Sequence, residues 1–87
     1  MTIVLVEDNP QVQYFICKLL EVDGFTVLTA GDGEAALDMS RNHTGQIDLL
    51  LSDVRMRRMN GAEPCQKLSA ERPEIKVVMM SGDLTSR

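Results

Sequence analysis

Four short runs of β-branched and aliphatic residues alternate along the chain with longer segments of helical periodicity. The first run, Ile3 to Val6, is apolar at every position, which is typical of a strand buried on both faces. Comparable runs occur at Phe25 to Thr29, Ile47 to Leu51 and Ile75 to Met80. We predict that each of these runs forms a β-strand.

Helical signals occupy the segments between the predicted strands. Asn9 followed by Pro10 is typical of a helix start, and the periodic pattern that follows stops near Asp23. The apolar residues of this pattern are Val12, Phe15, Ile16, Leu19 and Leu20. A second helix is predicted after the Gly-Asp-Gly break at 31–33, and a third over Ala62 to Glu71.

Strand and helix alternate along the whole sequence and end in a fourth strand. This order predicts an α/β fold with a doubly wound parallel sheet and helices on both faces. The length of 87 residues, with 44% hydrophobic and 25% charged residues, predicts one soluble globular domain over residues 1–87. Because such a domain buries only about 60% to 65% of its unfolded surface, we expect modest stability.

Charge and cysteine content exclude several classes of protein. The net charge is -4, and the basic residues form no stripe that would neutralise nucleic-acid phosphates, so we expect no direct nucleic-acid binding. Cys17 and Cys65 lack metal-ligand spacing and fall in predicted helices, which indicates a reducing, cytoplasmic location. No apolar segment approaches the length of a membrane span or a signal peptide, so no membrane association is predicted.

Acidic and hydroxyl side chains follow the predicted strands. Glu7 and Asp8 come after the first strand, Asp53 after the third and Ser81 after the fourth. Ligands of open parallel sheets bind beyond the carboxyl ends of the strands, so we expect these side chains to converge. Clustered carboxylates need a cation, a shared proton or a basic neighbour, and an oxygen-rich set suits Mg²⁺. Beside that ion, Asp53 can attack a phosphoryl group to give an aspartyl phosphate.

These motifs together resemble the receiver domains of two-component response regulators. The resemblance covers essentially the whole chain and implies a flavodoxin-like sheet with strand order 2-1-3-4. The motifs that carry it are the acidic pair Glu7-Asp8, the segment Ala30-Gly31-Asp32-Gly33-Glu34-Ala35-Ala36-Leu37, the segment Asp53-Val54-Arg55-Met56 leading to Gly61, and Ser81-Gly82.

The resemblance also implies a role for each site residue. Asp53 would be the phosphoacceptor, Glu7 and Asp8 the acids of a Mg²⁺ site, the Arg55 carbonyl a backbone ligand of the ion, and Ser81 the switch hydroxyl. The phosphoryl donor would be a sensor histidine kinase or a phosphotransfer protein. The expected catalysis is limited to self-phosphorylation from a donor and slow autodephosphorylation.

Alternatives remain open because the chain departs from the family pattern. The family has a fifth strand that ends in a lysine, whereas this sequence stops soon after the fourth strand, and Lys18, Lys67 and Lys76 are predicted to lie away from the acidic side chains. A degenerate receiver that binds partners or dimerises without phosphorylation is therefore the main alternative. A magnesium phosphohydrolase is disfavoured, since no second Asp follows Asp53 after two residues.

The fourth predicted strand would form an exposed apolar edge, and such edges recruit other strands. We therefore predict a homodimer, formed through this edge or by exchange of elements between two chains.

Overall fold

A computed structural model describes residues 1–53 and 62–80 of the chain. The elements in these ranges are strand β1 (Thr2–Val6), helix α1 (Pro10–Val22), strand β2 (Thr26–Ala30), helix α2 (Gly33–Asn42), strand β3 (Leu49–Asp53), helix α3 (Ala62–Glu71) and strand β4 (Lys76–Met80). The predicted alternation is confirmed. Element ends differ by a residue or two: β3 begins at Leu49 rather than Ile47, and it includes Asp53 as its last residue.

The described strands form one parallel sheet in the order β2-β1-β3-β4, which confirms the predicted flavodoxin-like fold. Val6 at the end of β1 is the register partner of Ala30 in β2 and of Ser52 in β3. Asp53 is in turn the partner of Met80 in β4. The carboxyl ends of all these strands therefore meet at one edge of the sheet.

Helix α1 begins where the sequence signal predicts. The side chain of Asn9 accepts hydrogen bonds from the backbone N–H groups of Gln11 (3.0 Å) and Val12 (3.2 Å), and Pro10 occupies the first helical position. A cap of this type stabilises a helix by about 1 kcal/mol. The helix ends before Gly24, whose φ of +93° lies in the left-handed region that favours glycine.

Helix α2 begins in a similar way. The carboxylate of its N-cap residue Asp32 accepts a hydrogen bond of 2.8 Å from the N–H of Ala35. Glu34 in the first turn and Arg41 in the last turn both complement the helix dipole. The Gly-Asp-Gly segment therefore places the start of α2 immediately after the end of β2.

The hydrophobic core lies between the sheet and helices α2 and α3. Its buried members are Val4, Val6, Ala30, Ala36, Leu37, Ile47, Leu50, Cys65, Leu68 and Ile75. Burial of each large aliphatic side chain in such a core contributes roughly 1.5 to 3 kcal/mol. No helix in the described parts of the chain is long and apolar enough to cross a membrane.

The opposite face of the sheet is only partly covered by described residues. Helix α1 packs on β2 and β1, yet Phe15 and Leu19 of its predicted apolar face are 63% and 54% exposed. Val78 of β4 is 44% exposed and continues the register row of Leu5 and Leu51 on this face.

Arg72 joins the ends of helices α2 and α3 at the edge of the sheet opposite the carboxyl ends. Its guanidinium donates to the hydroxyl (2.7 Å) and carbonyl (2.8 Å) of Ser40 and to the carbonyls of His43 (2.8 Å) and Gly45 (3.0 Å). Its fork of rigid donors suits a set of convergent carbonyls. The connection after α2 is therefore held by side-chain hydrogen bonds.

Candidate functional site

Glu7 follows directly after β1 and is almost entirely buried, with 3% of its surface exposed. Its backbone N–H donates to the carbonyl of Ala30 at 3.0 Å, which extends the pairing of β1 with β2. Its carboxylate Oε2 accepts a 2.9 Å hydrogen bond from the N–H of Asn9. The backbone of Glu7 is thus held by β2, and its side chain by the short connection that leads into α1.

Asp53 is the last residue of β3 and is also buried, with 4% of its surface exposed. Because Val6 and Ser52 are register partners, the residues that follow them, Glu7 and Asp53, lie at adjacent strand ends. Asp8 follows Glu7 and is exposed. We call the sheet edge that carries Glu7, Asp8 and Asp53 the acidic edge.

The carboxyl group of Glu7 has a pKa raised above its usual value. Burial is the largest cause. A hydrogen bond with the side chain of Asp8 and the negative charges of Asp53 and Asp8 raise the pKa further. The hydrogen bond from the Asn9 N–H acts in the opposite direction. Glu7, Asp8 and Asp53 therefore interact electrostatically, and a bound cation would relieve their repulsion.

The donor set of the acidic edge fits a hydrated Mg²⁺ better than an ion enclosed by protein ligands. Carboxylate oxygens are hard donors, and Mg²⁺ is commonly held by one or two carboxylates while it keeps several waters. In the described ranges no three His, Cys, Asp or Glu side chains are close enough together to surround a metal ion. An ion here would therefore contact Glu7, Asp8 and Asp53 partly through water.

Other residues predicted for the site lie outside the described residues. These are Arg55, predicted to offer its carbonyl to the ion, and Ser81, predicted as the switch hydroxyl. Of the lysines, Lys76 is the first residue of β4, at the opposite end from the acidic edge. Lys18 lies 3.6 Å from the carboxylate of Glu21 and above the ring of Tyr14.

One residue at the acidic edge was not selected from the sequence. The side-chain amide of Gln13 donates to the carbonyl of Glu7 at 3.1 Å and to the carbonyl of Ala30 at 3.2 Å. A polar residue between apolar helix positions usually faces solvent. The sequence feature that could have indicated this role is the spacing of four residues between Gln13 and the N-cap Asn9. This spacing places both residues on one side of the first helical turns.

Sequence comparison identifies the family of the chain. A model of the response regulator receiver domain matches residues 3–86. The chain is 38% identical over 79 residues to the transcriptional regulatory protein CpxR of Escherichia coli K12, a match that covers 91% of the chain and 32% of that protein. The chain spans about a third or less of the length of the first curated relatives that it matches.

Solved structures give the same result. The receiver domain of the hybrid histidine kinase CckA is 35% identical, with a TM-score of 0.74 over 98% of the chain and 79% of that structure. The MaeR response regulator bound to beryllium trifluoride is 26% identical, with a TM-score of 0.74 over 94% of the chain and 67% of that structure. The chain therefore belongs to the response regulator receiver domain family of two-component signalling systems.

Proposed function

We propose that Asp53 is the phosphoacceptor of this receiver domain and that Glu7 and Asp8 help to hold a Mg²⁺ ion beside it. The observation that carries the proposal is the position of Asp53, buried at the end of β3 and adjacent to the buried Glu7. The raised pKa of Glu7, which results from burial and from the neighbouring acids, supports a site that gains from a divalent cation.

The proposed reaction is a phosphoryl transfer to a carboxylate. An oxygen of ionised Asp53 attacks the phosphorus of a phosphohistidine, so that a new O–P bond forms while the P–N bond breaks and the imidazole leaves with the electron pair. The phosphohistidine ring carries a proton on its other nitrogen when it reacts, so the imidazole that leaves is neutral. A bound Mg²⁺ supplies positive charge that offsets the negative charge on the transferred oxygens.

The burial of Asp53 has a further consequence for this reaction. Burial restricts the rotamers of the Asp53 side chain at the end of β3, so little conformational entropy is lost when it meets the donor. The same burial limits access of water to the acyl phosphate, which favours a slow return to the unphosphorylated state.

The phosphoryl donor is proposed to be the histidine of a sensor kinase or of a phosphotransfer protein. The family supports this partner, since receiver domains function in two-component systems. The related MaeR has been solved with beryllium trifluoride, a mimic of a phosphoryl group, which supports an acceptor site of the same chemistry here. The thiol of Cys17 is free, which supports the cytoplasmic location that such a kinase domain requires.

We also propose that two copies of the chain associate through β4. Val77 and Val78 are 39% and 44% exposed at the edge of the described sheet, and an apolar edge strand favours pairing with another strand. Pairing of the two edges would cover the valines of both copies and extend the sheet.

NMR of the ¹⁵N-labelled protein with beryllofluoride and Mg²⁺ tests the phosphoacceptor proposal. When beryllofluoride is added to the protein already saturated with Mg²⁺, we expect the backbone signals of Glu7, Asp8 and residue 53 to shift in the wild type and to remain in place in Asp53→Asn. Asp48→Asn is the matched control, since Asp48 immediately precedes β3, where it accepts a hydrogen bond from the Thr2 N–H. Shifts of equal size in Asp53→Asn would overturn the proposal.

A further inference from the structure

The side chain of Gln13 joins helix α1 to the ends of two strands. Both hydrogens of its amide group are used, one toward the carbonyl of Glu7 (3.1 Å) and one toward the carbonyl of Ala30 (3.2 Å). The carbonyl of Glu7 belongs to the peptide group that links Glu7 to Asp8. Gln13 therefore holds the peptide between two acids of the acidic edge.

These hydrogen bonds form part of a closed network. The N–H of Gln13 donates to the carbonyl of Asn9 (2.9 Å), and the N–H of Asn9 donates to the carboxylate of Glu7 (2.9 Å). The N–H of Glu7 shares the Ala30 carbonyl with the Gln13 amide. Rotation of the peptide after Glu7 would break the Gln13 contact and change the directions in which Glu7 and Asp8 leave the backbone.

We propose that Gln13 is a positioning residue for the cation site, an inference that rests on the proposed function of the acidic edge. Gln13 does not act as a ligand. Its amide fixes the peptide that carries Glu7 and Asp8, so that their carboxylates are already directed toward Asp53 before the cation binds. Partners of ligand residues affect metal affinity in this way because they remove motions that the ion would otherwise have to restrict.

A purely structural role is the alternative, and the contacts distinguish it. Helix α1 is already capped by Asn9, and the Ala30 carbonyl already accepts from the Glu7 N–H. Loss of the Gln13 amide would therefore leave the cap and the strand pairing in place. The effect expected from the geometry is on cation affinity rather than on the unfolding midpoint.

The test compares Gln13→Met with Gln11→Met. Methionine has a length similar to that of glutamine and lacks the amide donors, and Gln11 is an exposed neighbour in the same helix. The affinity for Mg²⁺ is measured by NMR titration, and the urea unfolding midpoint is measured in EDTA. We expect Gln13→Met to weaken Mg²⁺ binding by about tenfold and Gln11→Met to leave it unchanged.

The outcomes separate this inference from the proposed function. If the wild-type protein does not bind Mg²⁺, both fail. Suppose instead that the wild type binds Mg²⁺ and that Gln13→Met binds it equally well, with or without a lower unfolding midpoint. Gln13 is then not a positioning residue, and the proposed cation site is unaffected.

If Gln13→Met does not fold, Gln13→Asn takes its place, because it keeps the amide but is shorter by one methylene group. It should also weaken binding, and failure of both variants to fold would overturn the inference in favour of a structural role.

Discussion

Glu7 and Asp53 lie at adjacent strand ends because the residues before them, Val6 and Ser52, are register partners in β1 and β3. Both side chains are buried, and the charge of Asp53 contributes to the raised pKa of Glu7. This relationship creates an electrostatic cost in the metal-free protein. A cation bound beside the two carboxylates would reduce this cost and so stabilise the folded state.

The first prediction concerns the pH dependence of the metal-free protein. A carboxyl with a raised pKa binds its proton more tightly in the folded state, so its contribution to stability is present below the unfolded pKa of 4.5 and is lost as pH rises through the folded pKa. We expect Glu7→Gln to remove this loss. Urea unfolding in EDTA from acidic to neutral pH should show a smaller decrease in the variant, and parallel curves would contradict the explanation.

The second prediction concerns stabilisation by magnesium. A ligand that binds only the folded state adds about 2.7 kcal/mol when it is present at a hundred times its dissociation constant. We expect Mg²⁺ to raise the free energy of unfolding of the wild type and to do so less in Asp8→Asn. Asp38→Asn, an exposed change on α2, serves as the control. An equal magnesium effect in Asp8→Asn would exclude Asp8 from the site.

The third prediction concerns Arg72. Arg72→Ala leaves the carbonyls of Ser40, His43 and Gly45 without their shared donor, and we expect it to lower the free energy of unfolding by about 2 kcal/mol. The control is Arg41→Ala, which removes a solvent-exposed bidentate pair with Glu71 and should cost less. Chemical denaturation gives both values. If both variants lost the same free energy of unfolding, the hydrogen bonds of Arg72 would contribute no more than the ion pair of Arg41.

The fourth prediction concerns self-association through β4. Val78→Lys should reduce dimer formation, because a charge on an exposed edge strand opposes pairing with a second strand. Val22→Lys is the matched control, since Val22 is 85% exposed at the end of α1. Light scattering over a range of protein concentrations measures the effect. A strictly monomeric wild type at high concentration would rule out the dimer.

The sequence predicted the fold well because the local and long-range signals agreed. Continuous apolar runs marked strands buried in a parallel sheet, and the cap residues Asn9 and Asp32 marked the starts of α1 and α2. The positions of Glu7 and Asp53 at one edge followed from the strand ends alone. The apolar residues of α1 were recognised by their helical spacing, but in the described structure Phe15 and Leu19 remain largely exposed.

The contacts of two polar residues could not be predicted from the pattern of hydrophobic and polar positions. Gln13 and Arg72 both occupy helical or near-helical positions where a polar side chain usually faces water. Each instead donates to backbone carbonyls that are distant in sequence. Gln13 donates to the carbonyl of Ala30, and Arg72 donates to the carbonyls of Ser40 and His43. Hydropathy carries no information about such contacts, because they depend on where separate elements end in three dimensions.

The most direct test of the central proposal is the intact mass of the protein after treatment with acetyl phosphate and Mg²⁺. We predict that the wild-type chain gains the mass of one phosphoryl group and that Asp53→Asn gains none. Glu7→Gln should accumulate the product more slowly than the wild type. An unmodified wild-type chain, or equal modification of the wild type and Asp53→Asn, would contradict the assignment of Asp53 as the phosphoacceptor.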